Sequence, residues 1–320
     1  MMSVSKNEAL LSVVLATDTY ERGRNVIDAL ARQTIADRIE LILVTTSADE
    51  VRTAAAGLGF HSVKVVPANS IVPLSAARAI GVRAAGAPYV FIAETHAYPD
   101  PDTAEKLVEL LSREWSLVVP GFRNANPRNG ISWGGFLTDY GAWSRALPAG
   151  ETQRAPAHDT AFRRSVLMEF GDRLEQALSF GDELYVGMHA RGHRAWFEPS
   201  AGIQHVNIDR IGHWVRERYL SGVLIGGNRS SKWTWSRRLL YVCASPLIPF
   251  VVLARVQRGV REVSQREHLP VGTIPAIVGG VLLKVAGEVR GYLLGAKHEH
   301  ETGMTAFEVR KLAFNAGEET

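Results

Sequence analysis

The 320-residue chain is predicted to be an α/β protein with a mostly parallel central sheet, flanking helices and a C-terminal helical extension. Short, fully apolar segments alternate with amphipathic segments in the part of the chain before Ile211, as in a parallel sheet covered on both faces. The strand-like segments are rich in β-branched residues, whereas those between them carry apolar residues at helical spacing. After Ile211 basic and aromatic residues crowd together and two apolar blocks follow, which predicts a separate helical region.

The composition, 46% hydrophobic and 22% charged, is that of a folded protein. A net charge of +3 does not by itself predict nucleic-acid binding, and we expect no nucleic-acid partner. The single cysteine, Cys243, excludes an internal disulfide and any CxxC site, which favours a reducing compartment. The N-terminal segment has neither the long apolar core nor the small-residue cleavage site of a secretory signal, so we expect that it is not one.

The first half of the region before Ile211 contains four predicted strands. "SVVLA" is a short, β-branched strand, and the helix that follows it starts with capping residues. Two further helices end at glycines, as helices often do. In order, the predicted elements are strand 12–16, helix 17–35, strand 39–44, helix 48–59, strand 62–67, helix 73–86 and strand 88–93.

The second half is less regular. A helix capped by Asp102 or Thr103 precedes a strand at 117–122, and residues 124–156 are rich in Gly, Pro, Asn and Trp, which predicts loops. Residues 160–171 are predicted to form a helix. A further helix carries Asp182 and Glu183 near its start, ends at Gly192 and leads into a strand at 194–199.

An acid and an imidazole, Glu94 and His96, lie at the exit of the fourth strand. Ligands of parallel sheets bind at the carboxyl ends of the strands. On an extended segment, residues two apart point to the same side, so both side chains could bind one cation. The alternative is that both are merely solvated at a strand end.

The order of several segments resembles the nucleotide-sugar glycosyltransferases of family 2, whose catalytic domain has the GT-A fold. The resemblance covers roughly residues 11–207. The segment "SVVLATDTYERGRNVIDALARQT" is similar to the opening strand and helix of the family, which end in Gln-Thr. The segment "PLSAARAIGVRAAGAPYVFIAETH" is similar to the Ala-Arg-Asn-x-Gly helix of the family and the Asp-x-Asp strand after it. The acceptor-side segment resembles "HDTAFRRSVL", and the acidic motif with the final Gly, Pro and His resembles "GDEL" followed by "RGHRAWFEPSAGIQH".

The sequence departs from the family pattern at four places. Glu94-Thr95-His96 replaces Asp-x-Asp, Thr45-Thr46 replaces an acidic pair, Ala79 replaces Asn, and Gly-Asp-Glu replaces Glu-Asp. These changes bear on the donor, the metal and the base rather than on the fold.

The resemblance implies an inverting transfer assisted by a divalent cation, Mg²⁺ or Mn²⁺, which neutralises the leaving diphosphate. It assigns the metal to Glu94 and His96, with His205 closing the site. The base is expected to be Asp182, with Glu183 as the second candidate. The alternative for both acids is that they cap the helix they precede.

The resemblance also implies residues around the two substrates. The donor nucleotide sugar is expected to contact Thr17, Tyr20, Thr45, Arg78 and Glu94, although Arg78 could equally form a surface salt bridge. Asp159, Arg163 and Arg164 are expected on the acceptor side, or the arginines are a solvated helix face.

The domains are predicted to be a catalytic domain at 1–211 and a helical, membrane-associated region at 212–320. Its apolar blocks are 239–256, interrupted by Pro246 and Pro249, and 269–294, whose charges make a full span costly. Flanking Arg, Lys, Trp and Tyr are typical of membrane interfaces, so we expect amphipathic or re-entrant helices at the cytoplasmic face of the membrane. The alternative is a helical pair packed on the catalytic domain or a second subunit of an oligomer, in a cytoplasmic protein.

The predicted function is therefore a glycosyltransferase of cell-surface polysaccharide or glycoconjugate assembly, acting on a glycan or lipid-linked acceptor. The alternative is a non-catalytic GT-A-like protein that binds a nucleotide sugar or a partner transferase. The changes at Thr45 and Glu94 motivate this alternative, whereas the retained Asp182, Glu183 and His205 argue against it.

Overall fold

The structure, a computed structural model, describes residues 8–179 and 181–316, without the side chain of Asp182. The chain divides into two compact units, Met1–Gly121 with Pro148–Gln204 and Phe122–Leu147 with His205–Thr320. The sequence placed all of 1–211 in one domain, whereas the structure groups 122–147 with the C-terminal helices.

In the described residues, nine strands form one sheet in the order β3-β2-β1-β4-β8-β6-β9-β5, and β7 pairs with β9. The strands are β1 Leu11–Ala16, β2 Ile39–Thr45, β3 Ser62–Pro67, β4 Tyr89–Ala93, β5 Ala97–Pro99, β6 Leu117–Asn124, β7 Gly150–Thr152, β8 Ala161–Arg163 and β9 Ala195–His205.

The helices alternate with the strands in the first unit and dominate the second. They are α1 Tyr20–Ala31, α2 Ala48–Ala54, α3 Leu74–Ala84, α4 Thr103–Ser112, α5 Gly130–Asp139, α6 Arg164–Met168, α7 Leu174–Ser179, α8 Gly181–His189, α9 Ile211–Ser230, α10 Trp235–Ala244, α11 Ile248–Ser264, α12 Thr273–Leu294, α13 His298–Val309 and α14 Lys311–Ala316.

The α/β class predicted from the apolar strands is confirmed. Strands β3, β2, β1 and β4 run parallel, with Ala16 opposite Val44 and Leu15 opposite Ala93. Every residue of β1 and β2 is buried, as expected for strands covered on both faces. This register brings the carboxyl ends of three neighbouring strands to the same edge of the sheet.

The helix predicted for residues 160–171 is wrong in its first part. Residues Ala161–Arg163 form β8, which lies between β4 and β6 and is antiparallel to both. The helix α6 begins only at Arg164. Backbone pairing with two neighbouring strands decides the conformation here, and a local pattern does not report such pairing.

The region predicted to be irregular, 124–156, contains helix α5 in the second unit. The Asn129 side chain caps it by accepting hydrogen bonds from the N–H groups of Ile131 and Ser132. Its glycines allow close packing against the backbone at Gly272. Any side chain at Gly130 would clash there, because its Cβ would lie 2.3 Å from the carbonyl carbon of Gly272. Gly and Trp have low intrinsic helix propensity, so this helix is stabilised by burial rather than by its local sequence.

Helices α9 and α12 of the second unit also pack backbone to backbone. A Cβ at Gly222 would lie 1.9 Å from the Lys284 carbonyl oxygen, and one at Gly226 would lie 2.2 Å from the Glu288 carbonyl oxygen. One face of the second predicted apolar block is therefore covered inside the unit. That face of the block contacts α9, and the packing of the blocks on the catalytic domain or on a second subunit stays a prediction.

The first apolar block lies in a helical stretch, Trp235–Ser264, that is exposed. Of the helices in residues 8–179 and 181–316, this stretch alone is long and apolar enough, by length and composition, to cross a membrane. Only 6% of its most apolar 18-residue segment is buried. Pro246 and Pro249 lie at the starts of a 3₁₀ turn and of α11. A missing N–H costs little there, so the helical course continues past both prolines.

Candidate active site

The carboxyl ends of β2, β1 and β4 carry the polar residues Thr45, Thr17 and Glu94 next to one another in the sheet order. The hydroxyls of both threonines bind the loop after β1, because Thr17 Oγ1 donates to the Thr19 carbonyl at 2.8 Å and Thr45 Oγ1 to the Asp18 carbonyl at 3.3 Å. Both threonines are fully buried. Tyr20 is half-buried at the start of α1, and its backbone N–H donates to Glu50 Oε1 at 3.2 Å.

Glu94 is the centre of a buried ionic cluster. It is 4% exposed and His96 is fully buried, so the alternative that this pair is solvated at a strand end is wrong. The two residues lie in a turn closed by the Ala97 N–H and the Glu94 carbonyl, rather than on an extended segment. The Nε2 of His96 nevertheless lies 3.3 Å from Glu94 Oε2, as the sequence spacing predicted for a shared ligand pair.

Arg78 projects from α3 to the other oxygen of the same carboxylate. Its Nη2 donates to Glu94 Oε1 at 2.7 Å, and Arg78 is 8% exposed. The salt bridge considered for Arg78 therefore exists, but it is buried rather than on the surface. A buried carboxylate needs such a partner to stay ionised.

Two further residues of the cluster, His158 and Asp159, come from the segment just before β8. The Nδ1 of His158 lies 3.2 Å from Glu94 Oε2 and 3.6 Å from Asp159 Oδ2. The Asp159 N–H donates to the Ile92 carbonyl at 2.6 Å, which fixes this segment beside β4. Asp159 has φ +48°, a left-handed conformation that Asp tolerates better than most residues.

Sequence reasoning missed His158 and placed Asp159 with the acceptor arginines. The antiparallel pairing of β8 with β4, Ala161 opposite Phe91, carries residues 158–159 to the level of Glu94. The available indication was the His-Asp pair after the proline-rich loop, but local sequence does not tell which strand β8 joins.

The electrostatics of the cluster are strongly coupled. Burial alone would lower the pKa of His158, but the neighbouring Glu94 and Asp159 carboxylates outweigh it and raise the pKa to about 9. Burial, together with repulsion from Glu94, raises the pKa of Asp159 to about 7, against the opposing effect of His158. Two acids in one buried site compete for the same positive charge.

The donor set suits a divalent cation. One ligand atom from each of Glu94, His158 and Asp159 lies within 4.8 Å of the others. Two carboxylates and a neutral imidazole match Mn²⁺, which accepts nitrogen as well as oxygen ligands, so a cation would bind by displacing the proton of His158. Glu94 Oε2 faces this group while Oε1 binds Arg78, so the residues present fit a cation.

Arg163 and Arg164 lie away from this cluster. Arg163 stands opposite Tyr89 at the start of β4, and its Nε donates to the Trp115 carbonyl at 2.9 Å. Arg163 lies four positions after Asp159 in the sequence, which is roughly 13 Å along an extended chain. The structure thus separates the three predicted acceptor-side residues, and the Arg163 guanidinium holds the backbone after α4.

The predicted base is only partly described. Asp182 belongs to α8, but its side chain lies outside the described residues. Glu183 is exposed in the first turn of the same helix. The roles of both acids stay predictions.

His205, the predicted third metal ligand, ends β9 and belongs to the second unit. Its ring is buried against Tyr140, with ring centroids 4.1 Å apart, and its Nδ1 lies 3.1 Å from Asn207 Oδ1. Its contribution to a metal site stays a prediction.

Residues 17–171 match the family model described as Glycosyl transferase family 2. No curated protein matches the sequence. Among solved structures, the chain resembles the mannosyltransferase PcManGT from Pyrobaculum calidifontis, in complex with GDP-Man and Mn²⁺, at 18% identity. The TM-score is 0.51, with 97% of this chain and 88% of that chain covered. At this identity the likeness concerns the fold.

Two other similar structures were found. The chain is 12% identical to S. aureus TarS 1–349 in complex with UDP, with a TM-score of 0.48 and coverage of 93% of this chain and 91% of that chain. It is 15% identical to GalNAc-T7 with UDP, GalNAc and Mn²⁺, with a TM-score of 0.46 and 63% of this chain covered. It spans 44% of the GalNAc-T7 chain.

Proposed function

Because residues 17–171 match the family model Glycosyl transferase family 2, we propose that this chain transfers a sugar from a nucleotide-diphosphate donor to an acceptor hydroxyl, with inversion. The acceptor oxygen forms a bond to the anomeric carbon as the bond from that carbon to the diphosphate oxygen breaks. The acceptor proton passes to a carboxylate, Asp182 or Glu183, and the nucleoside diphosphate leaves. The single observation that carries the proposal is the buried Glu94 cluster at the carboxyl ends of the strands.

The proposed cation site uses Glu94 with His158 and Asp159, and His96 beside them. A bound divalent cation would supply Lewis-acid stabilisation of the leaving diphosphate. Arg78 orients the Glu94 carboxylate through the 2.7 Å ion pair. Thr17, Tyr20 and Thr45 are proposed to contact the nucleoside, because they lie around the end of β1 and β2, beside the cluster.

One observation favours the non-catalytic alternative. Arg78 already gives Glu94 a cationic partner, and Thr45 offers a nucleotide no carboxylate. A protein of this kind would bind a nucleotide sugar without consuming it. Binding and turnover must therefore be measured separately.

A panel of nucleotide sugars tests the proposal. We expect one donor, from a set including GDP-mannose and UDP-linked sugars, to raise the melting temperature by several degrees when Mn²⁺ or Mg²⁺ is present. The same donor should release nucleoside diphosphate in the presence of cation. Stabilisation without release would favour the binding-only alternative, and the absence of stabilisation by any donor would contradict both.

We also propose that the chain works at a membrane surface, with a glycan or lipid-linked acceptor. Leu239–Ala254 is a run of 16 residues without charge, flanked by Arg237, Arg238 and Arg255. As a helix it would be ~24 Å long, shorter than the ~30 Å hydrocarbon core. Its exposed apolar residues include Leu240 at 64%, Leu247 at 64% and Phe250 at 71%. This favours a helix that dips into one leaflet.

The membrane proposal predicts that the full chain sediments with vesicles of phosphatidylglycerol. High salt should not release it, because salt screens the arginines but not the apolar contact. The triple variant Leu240→Ser, Leu247→Ser, Phe250→Ser should bind at least about tenfold more weakly, since each exposed side chain would otherwise bury apolar area at roughly 25 cal/mol per Å².

A variant at exposed apolar positions of the first unit, Met168→Ser with Val186→Ser, is the matched control and should sediment like the wild type. A wild-type chain that stays monodisperse without detergent and ignores vesicles would contradict the membrane proposal.

A further inference from the structure

A cleft of about 510 Å³ lies in the first unit, between helix α1 and the end of strand β5. One wall is a stripe of α1, because Asn25, Asp28 and Arg32 are spaced by three and four residues and so share one helix face. Tyr98 and Asp100 belong to the opposite wall. The volume falls within the range of about 300–1,000 Å³ that is usual for small-molecule sites.

The two walls are held together by the side chain of Gln33, which is 5% exposed. Its Nε2 donates to the Ala29 carbonyl at 3.2 Å and to the Asp100 carbonyl at 2.9 Å. The Thr34 N–H also donates to the Pro101 carbonyl at 2.8 Å. Because Ala29 and Asp100 lie on opposite walls, these hydrogen bonds set the width of the cleft, and a ligand would bind without first having to order it.

The lining combines groups that accept hydrogen bonds with groups that donate them. The carboxylates of Asp28 and Asp100 accept, and the guanidinium of Arg32 donates. The side-chain amides of Asn25 and Gln204 can do both. A hydroxyl group likewise donates and accepts, and planar carboxylate, amide and guanidinium groups can bond to two neighbouring hydroxyls at once. The lining therefore matches a ligand with several adjacent hydroxyls.

The same cleft also offers apolar surface, from Tyr98, Pro99 and Pro101. The Tyr98 hydroxyl accepts a hydrogen bond from the Asn25 side chain, which leaves a ring with a polar tip in the wall. A sugar ring has hydroxyls at its rim and C–H groups on its faces, so it suits a lining of this mixed kind. Two carboxylates against one guanidinium make the cleft unfavourable for a phosphate or a nucleotide.

A peptide is the other ligand that alternates donors and acceptors along its length. Peptides of this kind bind to an exposed strand edge through main-chain hydrogen bonds. Strand β5 ends the strand order of the described residues, but it is only three residues long and its Pro99 has no N–H. The edge beside the cleft therefore offers a peptide too few main-chain donors.

We propose that this cleft is a second saccharide-binding site, which holds a neutral glycan through its hydroxyls at a distance from the donor site. Helix α1 begins at Tyr20, beside the donor edge of the sheet, and Arg32 follows its last residue, ~18 Å further along the helix axis. A glycan acceptor of several sugars would then be held at two places. This consequence for the acceptor rests on the proposed function, whereas saccharide binding in the cleft does not.

Binding is measured on the full chain in a detergent without a sugar headgroup, with no nucleotide and no cation. The probes are maltotriose, cellotriose, mannotriose and chitotriose, followed by saturation-transfer NMR. We expect at least one of the four to bind with millimolar affinity. Saturating UDP or GDP with Mn²⁺ should not displace it. Binding of none of the four, or displacement by nucleotide, would overturn the proposal.

Variants locate the bound sugar. Asp28→Ala with Arg32→Ala removes a charged acceptor and a charged donor and should weaken binding at least about tenfold. Asp49→Ala with Arg52→Ala, an exposed ion pair on α2, is the matched control and should bind like the wild type. Gln204→Ala changes an exposed residue of the other wall and should weaken binding about threefold, which keeps the test valid if the cleft double variant fails to fold.

The second site and the proposed function fail in different ways. Wild-type affinity in both cleft variants would place the sugar elsewhere and overturn the second site. A trisaccharide that binds in the cleft of a chain that no nucleotide sugar stabilises would overturn the proposed transfer, and the cleft would stand as a saccharide site. Turnover of a donor by a chain that binds none of the four probes would remove only the second site.

Discussion

Replacing Glu94 by Gln should abolish the stabilisation that Mn²⁺ and donor nucleotide give together and should lower turnover by at least about 10²-fold. The Glu94 carboxylate lies between Arg78 and the imidazoles of His96 and His158, and the proposed site has few other anionic oxygens. Electrostatic stabilisation of a leaving group is worth several kcal/mol, which sets this magnitude. Melting curves with and without chelator, and nucleoside diphosphate release, measure the two effects.

The same variant leaves Arg78 buried without its carboxylate, so a loss of stability of a few kcal/mol is expected in the absence of ligand. Glu40→Gln is the matched control. Glu40 is 4% exposed, at the amino end of β2, and accepts hydrogen bonds from Ser12 and the Gly86 N–H. It should lose stability but keep the response to Mn²⁺. An undiminished cation response in Glu94→Gln would remove Glu94 from the metal site.

Asp182→Asn and Glu183→Gln should differ sharply in turnover. Whichever acid accepts the acceptor proton should lose about 10²–10⁴-fold on amidation, because general base catalysis contributes that much. Donor affinity should stay near wild type, since the amide keeps the shape of the side chain and removes only proton transfer. Initial rates at saturating donor, with donor affinity from thermal shifts, measure this.

Glu175→Gln, an exposed acid on the neighbouring helix α7, is the control and should leave turnover unchanged. If Asp182→Asn and Glu183→Gln both remain within a few-fold of wild type, the base lies elsewhere and the alignment of the acidic motif with the family is wrong.

The sequence by itself predicted the α/β class and most of the elements of the first unit. Burial on both faces makes β1 and β2 apolar throughout, and this pattern is local and visible without neighbours. The closeness of Glu94 and His96 was expected for an extended segment, whereas the structure produces it in a turn. Ligand placement at the carboxyl ends of parallel strands follows from the class alone.

Tertiary structure decided the rest. The place of β8 beside β4 depends on backbone hydrogen bonds between segments about seventy residues apart, and only that pairing brings His158 and Asp159 to Glu94 while carrying Arg163 away. The same holds for the two apolar blocks of the C-terminal region. Apolar periodicity reports that a helix face avoids water but not what covers it. The glycines of α9 bury one face of α12, whereas Trp235–Ser264 remains exposed.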